Sequence, residues 1–387
     1  MKLILDITSV RYPLTGIGRY TYELGKFLSS SNDLKQILFW KGFQFTDSLT
    51  RPDSATMNTP APKKGQNRIK ETLKKNTAVI KLYHNIRLLT QKRRLAKLSD
   101  YIFHSPNFYL PPFSGTSIVT VHDLSFIAYP AYHPAARVAV MMETLNSVQK
   151  NADFIITISD FSRNEIIRHL NWPEDKIKTT YMAASDIFYP RQTDELTPFL
   201  AAHGLNPGSY SLFVGTIEPR KNIEILVSAY EKLPDSIRKH YPLVVCGFRG
   251  WENQKLMERI EKAGHEGWLR HLDYLPHNDL PLIMAGARLF LFPSVYEGFG
   301  IPPLEAMQSG VPVIVSNATS LPEVVGDAAT MIDPHDEQGW REAIEKGLED
   351  TFWREERMQK GLERAQLFSW QRCAEETLAI YKLASKS

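Results

Sequence analysis

The stretch FLFPSVYEGFGIPPLEAMQSGVPVIVS, Phe290 to Ser316, decides how the rest of the chain is read. Leu289 to Phe292 is a continuous apolar run, as expected of a parallel strand buried on both faces. The loop Glu297-Gly298-Phe299-Gly300 follows, and its glycines let a ligand approach the main chain. Pro302 and Pro303 have no N–H to lose and suit a helix's first turn. Leu304 to Ser309 make that helix, Gly310 ends it in a left-handed cap, and Val311 to Val315 start the next strand. A helix beginning behind a glycine loop turns free N–H groups towards a phosphate. Glu297 in the loop and Glu305 in the helix, eight positions on, are carboxylates and serve a diphosphate poorly. They suit the hydroxyls on its two sides, which a nucleotide sugar supplies as ribose and hexose. A plain strand–helix unit, with glycines for tight turns and glutamates at a wet helix end, has the same pattern.

Earlier, Phe213-Val214-Gly215-Thr216 reads as a strand, followed by Ile217-Glu218-Pro219-Arg220-Lys221-Asn222 and a helix to Leu233. Pro219 starts the turn and Asn222 is placed to cap the helix. Arg220 and Lys221 are adjacent cations at a strand's carboxyl end, level with the Glu297 loop in a doubly wound sheet. Two cations there suit a diphosphate leaving group whose negative charge grows as the sugar bond breaks; elsewhere such a pair is a solvated turn.

E-G-F-G-I-P-x-x-E, preceded by G-x-x-x-x-R-K-N, resembles the large retaining GT-B glycosyltransferase family that includes sucrose synthase and bacterial mannosyltransferases. The resemblance is dense from Phe213 to Pro334 and thinner before it. It implies an α/β protein of two doubly wound, Rossmann-like domains facing a cleft: an acceptor domain at 1–190, with the terminal helix 370–387 packing back on it, and a donor domain at 208–369. It implies a retaining transfer of a hexose from a nucleotide diphosphate sugar to an acceptor hydroxyl. Arg220 and Lys221 hold the phosphates, Glu305 the ribose and Glu297 the hexose hydroxyls. The main chain of Phe299, Gly300 and Ile301 pins the sugar, and Leu304 is a donor-binding residue. Gly247, in the loop Gly247-Phe248-Arg249-Gly250-Trp251, borders the base by the same likeness, as does the segment from His277 to Leu280. His122, in Val121-His122-Asp123, contacts the transferred sugar from the other domain, and Asp123 caps the following turn. The family's G-G-x-G loop matches Gly16-Ile17-Gly18, beside the diphosphate and the acceptor, with Thr15 where glycine is common.

No metal and no cofactor are expected, since two cations take a metal's task and no D-x-D motif lies at a strand end. No residue stands out as a covalent nucleophile, so a same-face substitution fits better than a double displacement by carboxylates. G-I-G-R-Y near the start and the G-x-x-G-W loop resemble mannosyl- and rhamnosyltransferases of bacterial surface polysaccharide. GDP-mannose or a related GDP-deoxyhexose is the expected donor, and a saccharide or lipid-linked saccharide the acceptor. A phosphorylase or nucleotide-sugar epimerase of the same fold, or a non-catalytic sugar-binding subunit, are the alternatives.

Length and composition agree with two soluble domains: 387 residues, 43% apolar and 23% charged, near the averages for globular chains. No run approaches the ~20 apolar residues of a membrane span. MKLILDITS meets Asp6 too early for a leader and reads as a first strand. Cys246 and Cys373 are far apart and lack metal-ligand spacing, so reduced thiols and a cytoplasmic setting are expected. Gly16 and Gly18 are followed by Thr21 where a dinucleotide fold needs a third small residue, and no ribose-binding acid follows; a nicotinamide cofactor is excluded.

Residues 63–97 concentrate charge, with Lys63, Lys64, Arg68, Lys70, Lys74, Lys75, Lys81, Arg87, Lys92, Arg93, Arg94 and Lys97 against Glu71 alone. Val79, Leu82, Ile86 and Leu89 recur at helical spacing. The segment reads as a basic amphipathic helix or two, either touching anionic membrane or packed on the sheet with a solvated face. No aromatic platform accompanies the charge, so nucleic acid is not expected as a partner. Residues 43–66, rich in Pro, Thr, Ser and Asn, read as a long mobile loop. Pro190 to Pro207 reads as the linker, and Ser159 or Asp160 as the N-cap of the helix to Leu170.

Overall fold

The structure, a computed structural model, describes residues 1–385 except 13, 15, 50–87, 252, 274 and 277. Thr15, His277, most of the expected loop and residues 63–87 of the basic stretch therefore lie outside the described residues.

Two parallel sheets carry the chain. The first comprises β1 (Lys2–Asp6), β2 (Gln36–Trp40), β3 (Phe45–Thr46), β4 (Ile102–Ser105), β5 (Ser117–Val121), β6 (Phe154–Thr157) and β7 (Ile177–Thr179). Its order is β3-β2-β1-β4-β5-β6-β7, and only β3 runs antiparallel, against β2. The second comprises β8 (Ser211–Val214), β9 (Leu243–Cys246), β10 (Leu269–Leu272), β11 (Leu289–Phe292), β12 (Val313–Ser316) and β13 (Thr330–Ile332), in the order β10-β9-β8-β11-β12-β13. All four residues of β4, β6, β9, β11 and β12 are buried, as strands covered on both faces must be.

Strand order reverses between β1 and β4 in the first sheet and between β8 and β11 in the second. Ligands of open α/β sheets bind outside the carboxyl ends of strands at such switch points. The loop after β1 leads to Gly16 and Arg19, that after β8 to Arg220 and Lys221, and that after β11 to Glu297. Topology alone thus delivers these loops to two facing edges.

The last helix, Trp370–Ala384, packs on the first, Gly16–Ser29. Ser369 caps it by accepting from the Arg372 N–H at 3.1 Å. Trp370 and Tyr381 are buried, with Trp370 against the Tyr20 ring. The Tyr381 hydroxyl meets His104 Nδ1 at 2.6 Å, and His104 Nε2 meets Thr120 Oγ1 at 2.9 Å. Each large apolar side chain buried this way contributes about 1.5–3 kcal/mol. Cys246 and Cys373 are buried free thiols, and burial raises both.

Several expectations need correction. The supposed linker contains a helix, Thr193–Ala202, whose Leu196 and Leu200 are buried; its apolar residues lie four apart and make one face despite the polar composition. Phe45–Thr46, inside the expected loop, is an edge strand because Phe45 packs on Trp40, with ring centroids 4.9 Å apart. β10 is fixed at Leu269, which registers with Leu243, and the preceding Trp268 stacks on Tyr230. In the basic stretch, the described helix 88–95 buries Gln91 and Leu95, while Leu89 points outward at 59% exposure. Gln91 is held by Gly42 C=O and by the Tyr109 hydroxyl, so a polar contact rather than the apolar spacing sets that face. Among the described residues no helix is long and apolar enough to cross a membrane.

Candidate active site

After β8 the chain makes a single 3-10 turn, Pro219–Lys221, and Asn222 follows in the left-handed region with φ 53°. Asn222 does not cap the next helix. Its side-chain amide donates instead to Pro293 C=O at 3.2 Å and Pro334 C=O at 2.6 Å, and Val295 N–H donates to Arg220 C=O. These bonds clamp the turn to the loop after β11.

The clamp brings the cations to Glu297. Lys221 Nζ lies 2.5 Å from Glu297 Oε1, and Arg220 Nη1 lies 3.1 Å from Oε2. Arg220 Nε is 2.6 Å from Glu218 Oε1, and its Nη1 also donates to Tyr296 C=O at 3.0 Å. Lys221 sits over the Phe292 ring, 4.9 Å from its centroid. Glu297 is anchored along its backbone: its N–H donates to Thr319 Oγ1, and Ser320 Oγ donates to the carbonyls of Glu297 and Phe299. Burial resists a charged Glu297, but Lys221 and Arg220 together outweigh it and hold the carboxyl down at about 2. Burial pulls the Lys221 ammonium down, with Glu297 opposing and Arg220 assisting.

Glu305 follows on helix Ile301–Gln308, which Gly300 introduces at φ 119°. A side chain at Gly300 would also place its Cβ 2.7 Å from Leu321 Cδ2, so glycine is required there. Gly310 ends the helix at φ 71°. Glu305 is buried and its Oε1 is 2.7 Å from Arg19 Nη1, on the first helix of the other sheet. Burial raises its carboxyl to about 7, against the lowering effect of Arg19.

The first sheet closes on this loop directly. A Cβ on Gly298 would lie 2.3 Å from His122 C=O. Ser162 Oγ donates to that carbonyl at 3.1 Å, and Leu124 N–H donates to the Tyr296 hydroxyl at 3.2 Å. Glu323 accepts from the N–H groups of Asp160 and Phe161 and from the Tyr181 hydroxyl, thereby holding the start of helix Asp160–Leu170 from the opposite sheet. Trp251 Nε1 donates to Tyr132 C=O at 2.8 Å. His122 is buried with Nε2 2.9 Å from Pro106 C=O, its ring edge-on to Tyr20; burial lowers its pKa, keeping it neutral. Asp123 accepts from Ser125 N–H, and Ser159 caps its helix by accepting from Ser162 N–H, as expected.

The expected residues fall into two sets. Arg220, Lys221, Glu297, Glu305 and His122 line the meeting of the two sheets, with Gly16 and Gly18 at the start of Arg19's helix. A Cβ on Gly16 would meet nothing within 4 Å, which leaves the approach to that helix open. Phe299 and Leu304 send their side chains into the core, so that any donor contact of theirs would be through the main chain, and Phe299 C=O accepts from Ser320 Oγ. Gly247 is explained by packing: at φ 149°, its Cβ would lie 2.0 Å from Gly215 C=O. Glu218, Thr319, Ser320, Tyr296 and Arg19 were not singled out by the motif reading. Only Arg19 carried a signal, as a cation inside G-I-G-R. Among the described residues no group of three His, Cys, Asp or Glu side chains is placed to hold a metal ion.

Residues 201–365 match the family model of glycosyl transferases group 1. The chain is 43% identical over 383 residues to the O-antigen chain mannosyltransferase B of Escherichia coli, covering 99% of this chain and 100% of that protein. The chain belongs to the group 1 glycosyltransferases. The Escherichia coli serotype-specific mannosyltransferase WbdA is 33% identical over 225 residues, which cover 57% of this glycosyltransferase and 28% of WbdA. Among solved structures, the sucrose-phosphate synthase of Thermosynechococcus elongatus superposes with a TM-score of 0.70 at 21% identity, covering 99% of both chains. The fold of this glycosyltransferase is therefore GT-B, with its sheets' carboxyl edges facing one another as in that group.

Proposed function

We propose that this glycosyltransferase is a retaining mannosyltransferase of O-antigen assembly, taking mannose or a related deoxyhexose from its GDP sugar to a saccharide or lipid-linked saccharide. The observation that carries the reading is the meeting of Arg220 and Lys221 with Glu297 at the facing sheet edges. The cations lie where a leaving diphosphate would gather charge, and Glu297 is kept ionised to accept from hexose hydroxyls. The full-length likeness to an O-antigen mannosyltransferase favours mannose and that acceptor class. A cavity of about 260 Å³ lined by Asp6, Thr8, Ser9, Asn107 and Tyr109, at the carboxyl ends of β1 and β4, offers polar groups to an acceptor sugar.

In this reading the bond from the anomeric carbon to the diphosphate oxygen breaks as the acceptor oxygen bonds on the same face. The acceptor's proton passes to the departing phosphate. Arg220 and Lys221 neutralise the leaving group, and the segment of His122, whose carbonyl abuts the loop of Gly298, faces the sugar. Incubation with GDP-mannose and a mannose-terminated acceptor is expected to release GDP and give a product whose anomeric configuration, read by NMR, equals the donor's. Inversion would exclude the mechanism, and isomerised or phosphorolysed donor would favour the other enzymes of this fold. EDTA is expected to leave the rate unchanged; loss restored by Mg²⁺ overturns metal independence.

Glu305 gives donor binding a pH dependence. Ribose hydroxyls donate to the ionised carboxylate, so binding favours loss of the proton that burial holds to about 7. Affinity for GDP-mannose is expected to rise as pH increases from 6 to 8, by up to about tenfold for one unit of pKa change on binding. A sugar nucleotide has no terminal phosphate titrating in that range, and Glu305→Gln should flatten the curve. An unchanged curve in that variant removes the ribose assignment.

The exposed Lys92, Arg93, Arg94 and Lys97 beside Leu89 favour a peripheral contact with anionic lipid, at about 1 kcal/mol per basic residue near the surface. The protein is expected to float with phosphatidylglycerol liposomes and not with phosphatidylcholine alone. Equal recovery in the soluble fraction with both removes the membrane contact.

A further inference from the structure

Tyr296, Gly298, Glu305 and Glu323 meet the first half from elements that follow β11 and β12, on one side of the second sheet. The other side, where β8 and β9 end, is met by Trp251. Its Nε1 donates to Tyr132 C=O at 2.8 Å. Its ring lies 6.3 Å from that of His133, and the Arg137 guanidinium sits 5.8 Å from its centroid. The hydrogen bond, the ring contact and the cation contact thus all go to the first half, to the 3-10 turn Pro130–Tyr132 and the start of helix Ala135–Asn151. An indole, with an apolar body and one donor, suits such a crossing.

We propose that Trp251 is a positioning residue: it clasps the two sheets together on the β9 side and keeps the Arg220–Lys221 turn at its place in the cleft. The path from the indole to the cations is short. Gly250 N–H donates to Ile217 C=O at 3.0 Å, and Ile217 N–H to Phe248 C=O at 2.9 Å. Asn253 Nδ2 donates to the same Ile217 carbonyl at 2.7 Å. A Cβ on Gly250 would lie 2.5 Å from that carbonyl, so the two loops are in direct contact. Ile217 leads into Glu218, which holds Arg220 Nε at 2.6 Å and whose C=O accepts from Lys221 N–H. On the first half, the Tyr132 ring stacks on Tyr129 with centroids 5.3 Å apart, and Tyr129 stands edge-on to Tyr296, next to Glu297. One segment, Tyr129 to Arg137, therefore touches both the loop that carries Glu297 and the loop that braces the cations. Without the indole, closure rests on one side of the second sheet, and the halves separate more often. That this serves the reaction rests on the reading of Arg220 and Lys221 as the cations of the donor diphosphate.

The test is hydrogen–deuterium exchange on the full chain, without ligand, for wild type, Trp251→Phe and Trp251→Ala. The reporters are N–H groups of the first half that donate to side chains of the second: Leu124 to Tyr296, and Asp160 and Phe161 to Glu323. Their exchange follows how often these bonds open. Trp251→Phe loses the bond to Tyr132 and keeps a ring for Arg137; it is expected to speed the reporters about two- to tenfold. Trp251→Ala loses both and should speed them by at least about tenfold. β9 and β12, inside the second sheet, should exchange as in wild type. Unchanged reporters, or faster exchange confined to 130–138 and 247–253, overturn the clasp. Faster exchange in β9 and β12 as well would make Trp251 a stability residue of its own half, and overturns it too. With GDP-mannose and a mannose-terminated acceptor, kcat is expected to fall in both variants while the Kd for GDP stays near wild type; an unchanged kcat overturns the positioning role. If wild type does not use GDP-mannose, the assignment of Arg220 and Lys221 falls, and the exchange result still decides the clasp.

Discussion

Replacing Lys221 with alanine is expected to slow turnover by about 10²–10³-fold, the scale of removing one preorganised charge from the place where negative charge develops. Lys221 is more isolated from water than Arg220, and it bonds Glu297 at 2.5 Å from above the Phe292 ring. In such a site an ammonium is worth more to a developing phosphate charge than it would be in water. Truncation leaves Glu297 with Arg220 at 3.1 Å, so the carboxylate keeps a cation and the fold should survive. Lys221→Met, which keeps most of the volume, separates lost charge from lost packing. An effect on kcat larger than on donor Kd is the signature of an interaction strengthened in the transition state. Wild-type kcat in a folded Lys221→Met variant would take Lys221 out of the reaction.

Gly298→Ala is expected to cost about 10²-fold in turnover while the protein still folds. The added Cβ would lie 2.3 Å from His122 C=O and 2.9 Å from Asp123 Cβ. Both atoms belong to the opposite sheet, so the clash falls between the two halves and not inside either core. Relief comes from moving the sheets apart, and misplacing reacting groups by about 1 Å suffices for a loss of that size. The expected result is a melting temperature near wild type, retained GDP binding, and a fall in kcat. A wild-type rate would mean that the sheets do not need this close approach.

The parts of the molecule that were legible in the sequence are those where local chemistry and global position agree. β11 was plain because a strand covered on both faces must be apolar at every position. Helix Ile301–Gln308 was plain because Pro302, Pro303 and Gly310 mark its ends. Arg220 and Lys221 stood out as paired cations at a strand's carboxyl end, and both reach Glu297. What escaped were contacts between distant segments. Nothing near Glu297 says that both cations will reach it, and nothing near Asn222 says that its amide will serve Pro293 and Pro334 rather than the next helix. Glu323 belongs to none of the motifs, yet it accepts the N–H groups of Asp160 and Phe161 across the interface. Helix Thr193–Ala202 was hidden by Asp194, Glu195 and Pro198, which outweigh two buried leucines in any compositional reading.

The chain passes between its two halves twice, once near Pro190 and again before Trp370. Anyone recombining this enzyme with a relative to change its donor must therefore splice at two junctions. A single crossover near residue 190 would bring in a foreign Trp370–Ala384 segment, whose Trp370 and Tyr381 counterparts would have to fit Tyr20 and His104 of a different parent. Keeping the native C-terminal segment with the native first half, and exchanging only what lies between, preserves that fit.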